Sequence, residues 1–304
     1  MTTADDHRWA LVLAGGDGTR LQDLTRRLTG APIPKQYCRI LGERSLLEAT
    51  FDRVAPLVPP GRTLAVVTHA HLPLAHPQLV ALPAANVVVQ PANRDTGPGI
   101  LLGLLELARR DPDALVSVFP SDHDVRDEHA FRSCITDMAA AVVAHHPNRL
   151  ALLGVRPDRA DTGFGYIAPG SRLPGAARPS FRVRAFHEKP DAALASRLIR
   201  RGGLWNSFVM VGRVARFLEL LAEVHPDAVG RLAAVVRDPA ALARAYGALP
   251  AWNFSRDFLQ RIAGELLVLR GERLGWSDWG TPEAVERTLV ALGLVPPWRV
   301  PETA

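Results

Sequence analysis

Lysine is almost missing from this chain: only Lys35 and Lys189 occur, leaving 34 of the 36 basic residues as arginine. Where any positive charge serves, the chain uses a planar guanidinium, so the two compact ammonium groups mark places that call for a point charge. Cysteine is equally scarce. Cys38 and Cys134 lie far apart, without CxxC or Cys/His spacing, which argues against a disulfide framework and against a structural zinc site. Both thiols are expected to be reduced and structural. Long apolar runs are absent too: no stretch approaches the ~20 consecutive apolar residues that cross a bilayer. The opening MTTADDHR carries two acids where a signal peptide needs a positive end and an apolar centre. The expectation is a cytoplasmic protein with no membrane partner. Net charge is +5, yet the arginines stand singly or in pairs (Arg26-Arg27, Arg109-Arg110, Arg200-Arg201) and form no basic run interleaved with aromatics. Nucleic acid is therefore not an expected partner.

What is present is an ordinary globular composition, 47% hydrophobic and 22% charged over 304 residues, enough for one large α/β core or two modest ones. Apolar, β-branched runs at Trp9–Ala14, Leu64–Thr68, Asn86–Gln90, Ala114–Phe119 and Leu150–Val155 read as strands. Helical patterns at Ser45–Val54, Pro98–Arg109 and Glu128–His145 alternate with them. That is a βαβ series, from which we expect a Rossmann-like, mixed but mostly parallel sheet with helices on both faces. Beyond residue 155 the strands Gly163–Ala168, Arg182–Glu188 and Trp205–Val211, with the helix Ala192–Arg200, suggest a smaller α+β insertion. A mainly helical part follows at Val214–Val224, Asp227–Val236, Pro239–Tyr246 and Ser255–Glu265, closed by a strand Leu266–Arg270 and a helix Pro282–Leu292. One domain over 1–304 is expected, with a first half at 9–155 and a second at 156–304. The last helices either form a homodimer face or complete the core.

Strand Trp9–Ala14 runs directly into Gly15-Gly16-Asp17-Gly18-Thr19-Arg20. A glycine-rich turn at the carboxyl end of a strand lets backbone N–H groups approach phosphate oxygens, and Arg20 can add a forked contact, so the loop suits an anion. It matches neither familiar phosphate loop. No lysine follows its last glycine as GxxxxGK[ST] requires, and Leu21 stands where GxGxxG needs a glycine. Pro34-Lys35-Gln36 follows after a flexible-looking stretch that can bring Lys35 back over the same phosphates.

GGxGTRL with PKQ resembles the signature of the sugar-phosphate nucleotidyltransferases, specifically the mannose-1-phosphate guanylyltransferase group. The likeness continues in order along the chain. Gln90-Pro91-Ala92-Asn93-Arg94-Asp95-Thr96-Gly97-Pro98 is similar to EPxxRNTAPA, and Phe119-Pro120-Ser121-Asp122-His123 to LPADH. Thr162-Gly163-Phe164-Gly165-Tyr166-Ile167 is similar to TGYGYI, Phe186-His187-Glu188-Lys189-Pro190 to FxEKP, and Trp205-Asn206-Ser207 to WNSG. Trp276-Ser277-Asp278-Trp279-Gly280 is similar to WxDxG.

The resemblance implies attack of a sugar-1-phosphate oxygen on the α-phosphorus of GTP, giving a GDP-sugar and pyrophosphate, with mannose 1-phosphate as the acceptor. It implies one Mg²⁺ held by Asp122 and Asp278, an oxygen-only donor set that suits magnesium. Arg20 and Lys35 would neutralise the triphosphate, and Lys189 would reach the sugar phosphate or the α-phosphate. The nucleotide would meet Leu13, Ala14, Gly15, Gly16, Gly18 and Thr19 in the loop, with Gln90, Asn93, Arg94 and Thr96 facing the base. The sugar would meet Gly165, Tyr166, Glu188, Asn206 and Ser207. Asp95 or Thr96 is also read as the cap of the following helix, His123 as a locally bonded side chain, and Asp124 as a solvent-facing neighbour. The chain departs from the family pattern in three places. RLWPLSR is Arg20-Leu21-Gln22-Asp23-Leu24-Thr25-Arg26, RNTAPA is RDTGPG, and the glycine of WNSG is Phe208, a bulky ring beside the sugar. The alternatives are another hexose or heptose 1-phosphate, another triphosphate, or a non-catalytic subunit that binds a nucleotide-sugar.

Overall fold

The computed structural model describes residues 7–296 and Trp298. Met1–Asp6, on which the absence of a leader was read, lie outside the described residues. Among the described residues nine strands form one sheet: β1 (Arg8–Leu13), β2 (Thr63–Thr68), β3 (Val87–Gln90), β4 (Leu115–Pro120), β5 (Leu150–Val155), β6 (Gly165–Arg172), β7 (Ser180–Glu188), β8 (Leu204–Arg213) and β9 (Leu266–Gly271). Ten α-helices of the described residues accompany them: α1 (Gln22–Thr29), α2 (Leu46–Val54), α3 (Leu72–Ala75), α4 (Thr96–Arg110), α5 (Glu128–Ala144), α6 (Ala192–Arg200), α7 (Val214–Val224), α8 (Pro226–Val235), α9 (Pro239–Gly247) and α10 (Pro282–Ala291).

The strand order is β3-β2-β1-β4-β8-β5-β9-β7-β6, and β6 also pairs with β8. The first four strands are parallel, as the βαβ pattern requires. The expectation of a mostly parallel sheet is nevertheless corrected. β8 enters antiparallel between β4 and β5, and β7 pairs antiparallel with both β6 and β9, so of the nine strand pairings five are antiparallel. The physical reason is that a strand from the second half fills the centre of the sheet, next to strands of the first.

Alternation along the strands builds a core on each face. Leu11, Leu64, Val66, Val116 and Val118 point to one side with α4 and α7, while Ala10, Val12, Ala65, Val67 and Phe119 point to the other with α2 and α5. Helices therefore do cover both faces. Phe217, Leu220, Leu221, Leu232 and Tyr246 place α7, α8 and α9 in the first of these cores, and Val285 and Leu289 seat α10 against Leu21, Leu24 and Trp279. The late helices complete the core. Two further differences concern local structure. The stretch after the glycine loop, read as flexible, is the helix α1, and Ser255–Glu265 is a five-residue π turn and a short 3₁₀ turn, not one α-helix.

Candidate functional site

Because β1, β2, β3 and β4 are parallel, their carboxyl ends meet at one edge of the sheet. β8 runs the other way, so its beginning, at Trp205 and Asn206, arrives at that edge too, beside the end of β5. A cleft of about 340 Å³ opens there. Leu13, Gly15, Gly16, Arg20, Gln90, Asn93, Thr96, Asp122, Gly165, Glu188, Lys189, Asn206 and Asp278 line it, so most of the residues singled out from sequence are brought together although they span 265 positions of the chain.

The loop after β1 is fixed from behind. Tyr37 donates its hydroxyl to the carbonyl of Ala14 (2.6 Å), and Gln36 Nε2 donates to the carbonyls of Ala14 (3.2 Å) and Gly16 (2.7 Å). Gly18 sits at φ 59°, a left-handed position, and a Cβ there would stand 3.1 Å from the Lys35 amide. Glycine is the residue that fits. Ala14 is buried within this scaffold, and Gly18 and Thr19 turn the chain into α1; none of the three lines the cleft.

Asp122 follows β4, and Asp278 lies far along the chain in the loop before α10. An isolated antiparallel bridge between Asp124 and Ser277 joins their segments, with Asp124 N–H donating to Ser277 O (2.9 Å) and Ser277 N–H to Asp124 O (3.0 Å). Asp124 is thus buried, its carboxylate 2.8 Å from Arg126 Nε, which corrects its reading as a solvent-facing neighbour. Lys35 adds a second clasp. Its ammonium lies 3.2 Å from Asp122 Oδ2, donates to the carbonyl of Trp279 (3.1 Å), and donates to the carbonyl of Asp278. The side chain is buried and does not line the cleft. Arg20 is the open cation here, 60% exposed and 4.0 Å from Asp278. Gly280 donates its N–H to Asp278 Oδ1 (3.0 Å), and a Cβ at Gly280 would collide with that carboxylate.

Burial works against ionising Asp122, yet the Lys35 ammonium and His123 outweigh it and hold the carboxyl below its ordinary range. His123 is itself pushed down by burial, so its ring is neutral near pH 7, and Nδ1 accepts from the Trp276 indole (3.3 Å). That assigns the proton to Nε2, on the Asp122 side (3.5 Å). The ring is locally bonded, as read from sequence. The two aspartates fit a hard divalent ion as donors. Among the described residues no group of three or more His, Cys, Asp and Glu could hold a metal, so the other ligands would come from substrate oxygens and water.

The opposite wall comes from β7, β8 and the segment after α9. Burial raises Glu188 above its usual range, with Lys189 and Arg256 opposing. Lys189, at φ 47°, is 59% exposed. Asn206 Oδ1 accepts from the Phe208 amide (3.2 Å). At the end of β3, Gln90 is pinned: Nε2 donates to Thr68 Oγ1 (2.7 Å) and Oε1 accepts from Tyr246 (2.9 Å). Asp95 caps α4 through the Thr96 amide (2.7 Å), and Thr96 Oγ1 accepts from the Phe254 amide (2.9 Å).

Beyond Ala14, Gly18, Thr19 and Lys35, three further residues taken from the motifs stand outside the cleft. Tyr166 is fully buried, its hydroxyl bonded to Asp161, and Ser207 is fully buried, donating to Leu153 O (2.6 Å). Arg94 turns its guanidinium to the carbonyl of Gly247. Sequence reading missed Gln36, Trp276, Asn253 and Ser255. The first two stood inside quoted motifs; the last two lie in a stretch with no chemical signature.

A family model described as nucleotidyl transferase matches residues 9–292. The xanthan biosynthesis protein XanB of Xanthomonas campestris pv. campestris (strain B100) is 37% identical over 220 residues, 71% of this chain and 44% of that protein. Mannose-1-phosphate guanylyltransferase ManC of Salmonella typhimurium is 31% identical over 292 residues, 90% of this chain and 58% of that protein. A crystal structure from Thermus thermophilus, described as a mannose-1-phosphate geranyltransferase, superposes with a TM-score of 0.81 at 33% identity, covering 93% of this chain and 79% of that one. The chain spans about half the length of the curated relatives it matches, 44% and 58% of the two above.

Proposed function

The chain belongs to the nucleotidyl transferase family, and we propose that it transfers GMP from GTP to mannose 1-phosphate, giving a GDP-sugar and pyrophosphate. The observation that carries this reading is the meeting of Asp122, Asp278 and Arg20 with the glycine loop in one cleft. The names of the matched guanylyltransferase relatives support the choice of base and sugar.

In this reaction a phosphate oxygen of the sugar phosphate attacks the α-phosphorus and the bond to pyrophosphate breaks. The attacking oxygen is already anionic, so the protein need remove no proton and form no covalent intermediate. Its work is positioning two polyanions that repel one another. The amides of the 15–18 loop and the exposed Arg20 receive the triphosphate. Asn93 and Thr96, held by the capped start of α4, face the base, with Gln90 as a fixed partner behind them. Glu188 and Asn206 accept from sugar hydroxyls, and Lys189 reaches the sugar phosphate. Lys35 acts through Asp122 and the 278–279 backbone. Asp122 and Asp278 would hold Mg²⁺, which would supply charge neutralisation for the reacting phosphates. We assign these roles within one domain, residues 9–155 serving the nucleotide and the half that begins at 156 serving the sugar.

No helix of the described residues is long and apolar enough to cross a membrane. The test is pyrophosphate release from four triphosphates against a set of sugar 1-phosphates, with and without divalent metal. GTP with mannose 1-phosphate should give the largest kcat/KM, and removal of metal should abolish it. Preference for another pair moves the chain to the alternative substrates. Binding of a GDP-sugar without turnover of any pair overturns the enzyme reading in favour of a binding subunit.

A further inference from the structure

Left-handed backbone at residues other than glycine is concentrated around this cleft. Among the described residues five non-glycines have positive φ, and three of them, Asp95, Lys189 and Phe208, line it. Asp95 is repaid by its cap to α4. Phe208, at φ 62°, is the unusual case, because a bulky ring gains no local hydrogen bond from that conformation. Such strain persists only where the surroundings over-determine it.

They do so through a bulge in β8. Leu152 pairs with Met210 and Gly154 with Asn206, so Ser207, Phe208 and Val209 together face Leu153 alone. Ser207 Oγ donates to Leu153 O (2.6 Å) and accepts from the Val209 amide (3.3 Å), while Asn206 Oδ1 accepts from the Phe208 amide (3.2 Å). These bonds turn Phe208 out of the pleat and into the cleft. Its ring is backed edge-on by Phe254, with centroids 6.1 Å apart at 63°.

We infer that Phe208 is a specificity-determining residue, its ring being the apolar platform against which one face of the sugar in the sugar 1-phosphate stacks. The inference rests on the proposed reaction. A pyranose carries its hydroxyls around the rim and exposes C–H groups on a face, and the negative face of an aromatic ring suits those C–H groups. Asn206 and Glu188, on the same side of the cleft, address the rim. A sugar that directs a hydroxyl onto the ring strips that group of water with no partner in exchange, and is discriminated against. Ser207 acts as a positioning residue that holds the bulge.

The test compares wild type with Phe208→Gly, Phe208→Leu and Ser207→Ala. Glycine takes the φ of this position without strain, which offsets part of the burial lost with the ring, so Phe208→Gly should still fold cooperatively. Its KM for the sugar 1-phosphate should rise about five- to tenfold, with KM for the triphosphate unchanged within about twofold. Its discrimination among sugar phosphates should narrow. Phe208→Leu, which keeps apolar volume without the π face, and Ser207→Ala should shift the same constant in the same direction by less. An unchanged sugar KM and profile in Phe208→Gly, or a rise confined to the triphosphate, overturns the platform. If wild type turns over no sugar 1-phosphate, it is the nucleotidyl-transfer reading that fails.

Discussion

An ammonium group has three hydrogens, and Lys35 finds three acceptors: Asp122 Oδ2 and the carbonyls of Asp278 and Trp279. A guanidinium is larger, planar and forked, and a buried site shaped to a point charge does not accept it. Lys35→Arg should therefore fail to rescue: we expect at least about tenfold lower kcat and a lower melting temperature, and wild-type values for both would refute the clasp. Glu188 gives a prediction in pH. Burial raises its folded-state carboxyl above the usual 4.5, so the folded protein holds that proton more tightly than the unfolded chain. Stability from this group is greatest below 4.5 and is lost as pH rises through the raised value. Glu188→Gln should thus stabilise the protein at about pH 8 and change little at about pH 4 in denaturant titrations; an equal effect at both would remove burial as the cause. Which of the motif residues line the cleft was only partly legible. Tyr166 and Ser207 belong to motifs as plainly as Gly165 and Asn206 do, yet strand alternation turns their side chains inward to Asp161 and Leu153. A motif marks residues that matter without separating those that touch a ligand from those that hold the ones that do.

Among the elements, α2 has the most readable start. Ser45 Oγ accepts from the Glu48 amide (3.1 Å) and Glu48 Oε2 accepts from the Ser45 amide (2.9 Å), a capping box. Ser45 also donates to Gln78 Oε1 (2.6 Å), which ties the helix to the loop that follows α3. Ser45→Ala should cost about 1–2 kcal/mol of stability in chemical denaturation, with catalysis unchanged; a loss within experimental error would contradict the cap. Helix α1 was illegible for the opposite reason. It has no side-chain cap, and its Gln-Asp-Leu-Thr-Arg-Arg run is polar, so its apolar stripe reduces to Leu24 and Leu28 with Leu21 before it. The 255–265 stretch carries a helical pattern, yet it forms a π turn at Ser255–Leu259 and a 3₁₀ turn at Ala263–Glu265, with Asp257 Oδ2 accepting from the Asn253 amide (2.8 Å) at its start.

At the scale of the whole molecule, the nine strands of the described residues were legible, and so was the parallel direction of the first four, because βαβ alternation dictates it. The place of β8 was not. Its residues carry no mark that they pair with β4 and β5, since that pairing depends on contacts between segments 50 or more residues apart. Yet it is this insertion that brings Asn206 and Phe208 to the edge where Asp122 stands, and the Asp124–Ser277 bridge that brings Asp278 there. The central claim is that Asp122 and Asp278 serve one ion in one site. A double-mutant cycle in kcat/KM tests it most directly. Asp122→Asn and Asp278→Asn should each lower turnover by at least about 100-fold while the protein remains folded, some 2.7 kcal/mol of transition-state stabilisation. Residues that act as a unit are non-additive, so the double variant should lose scarcely more than the worse single one. If instead the two losses multiply, or either single variant keeps normal turnover, the aspartates do not share an ion and the account is wrong.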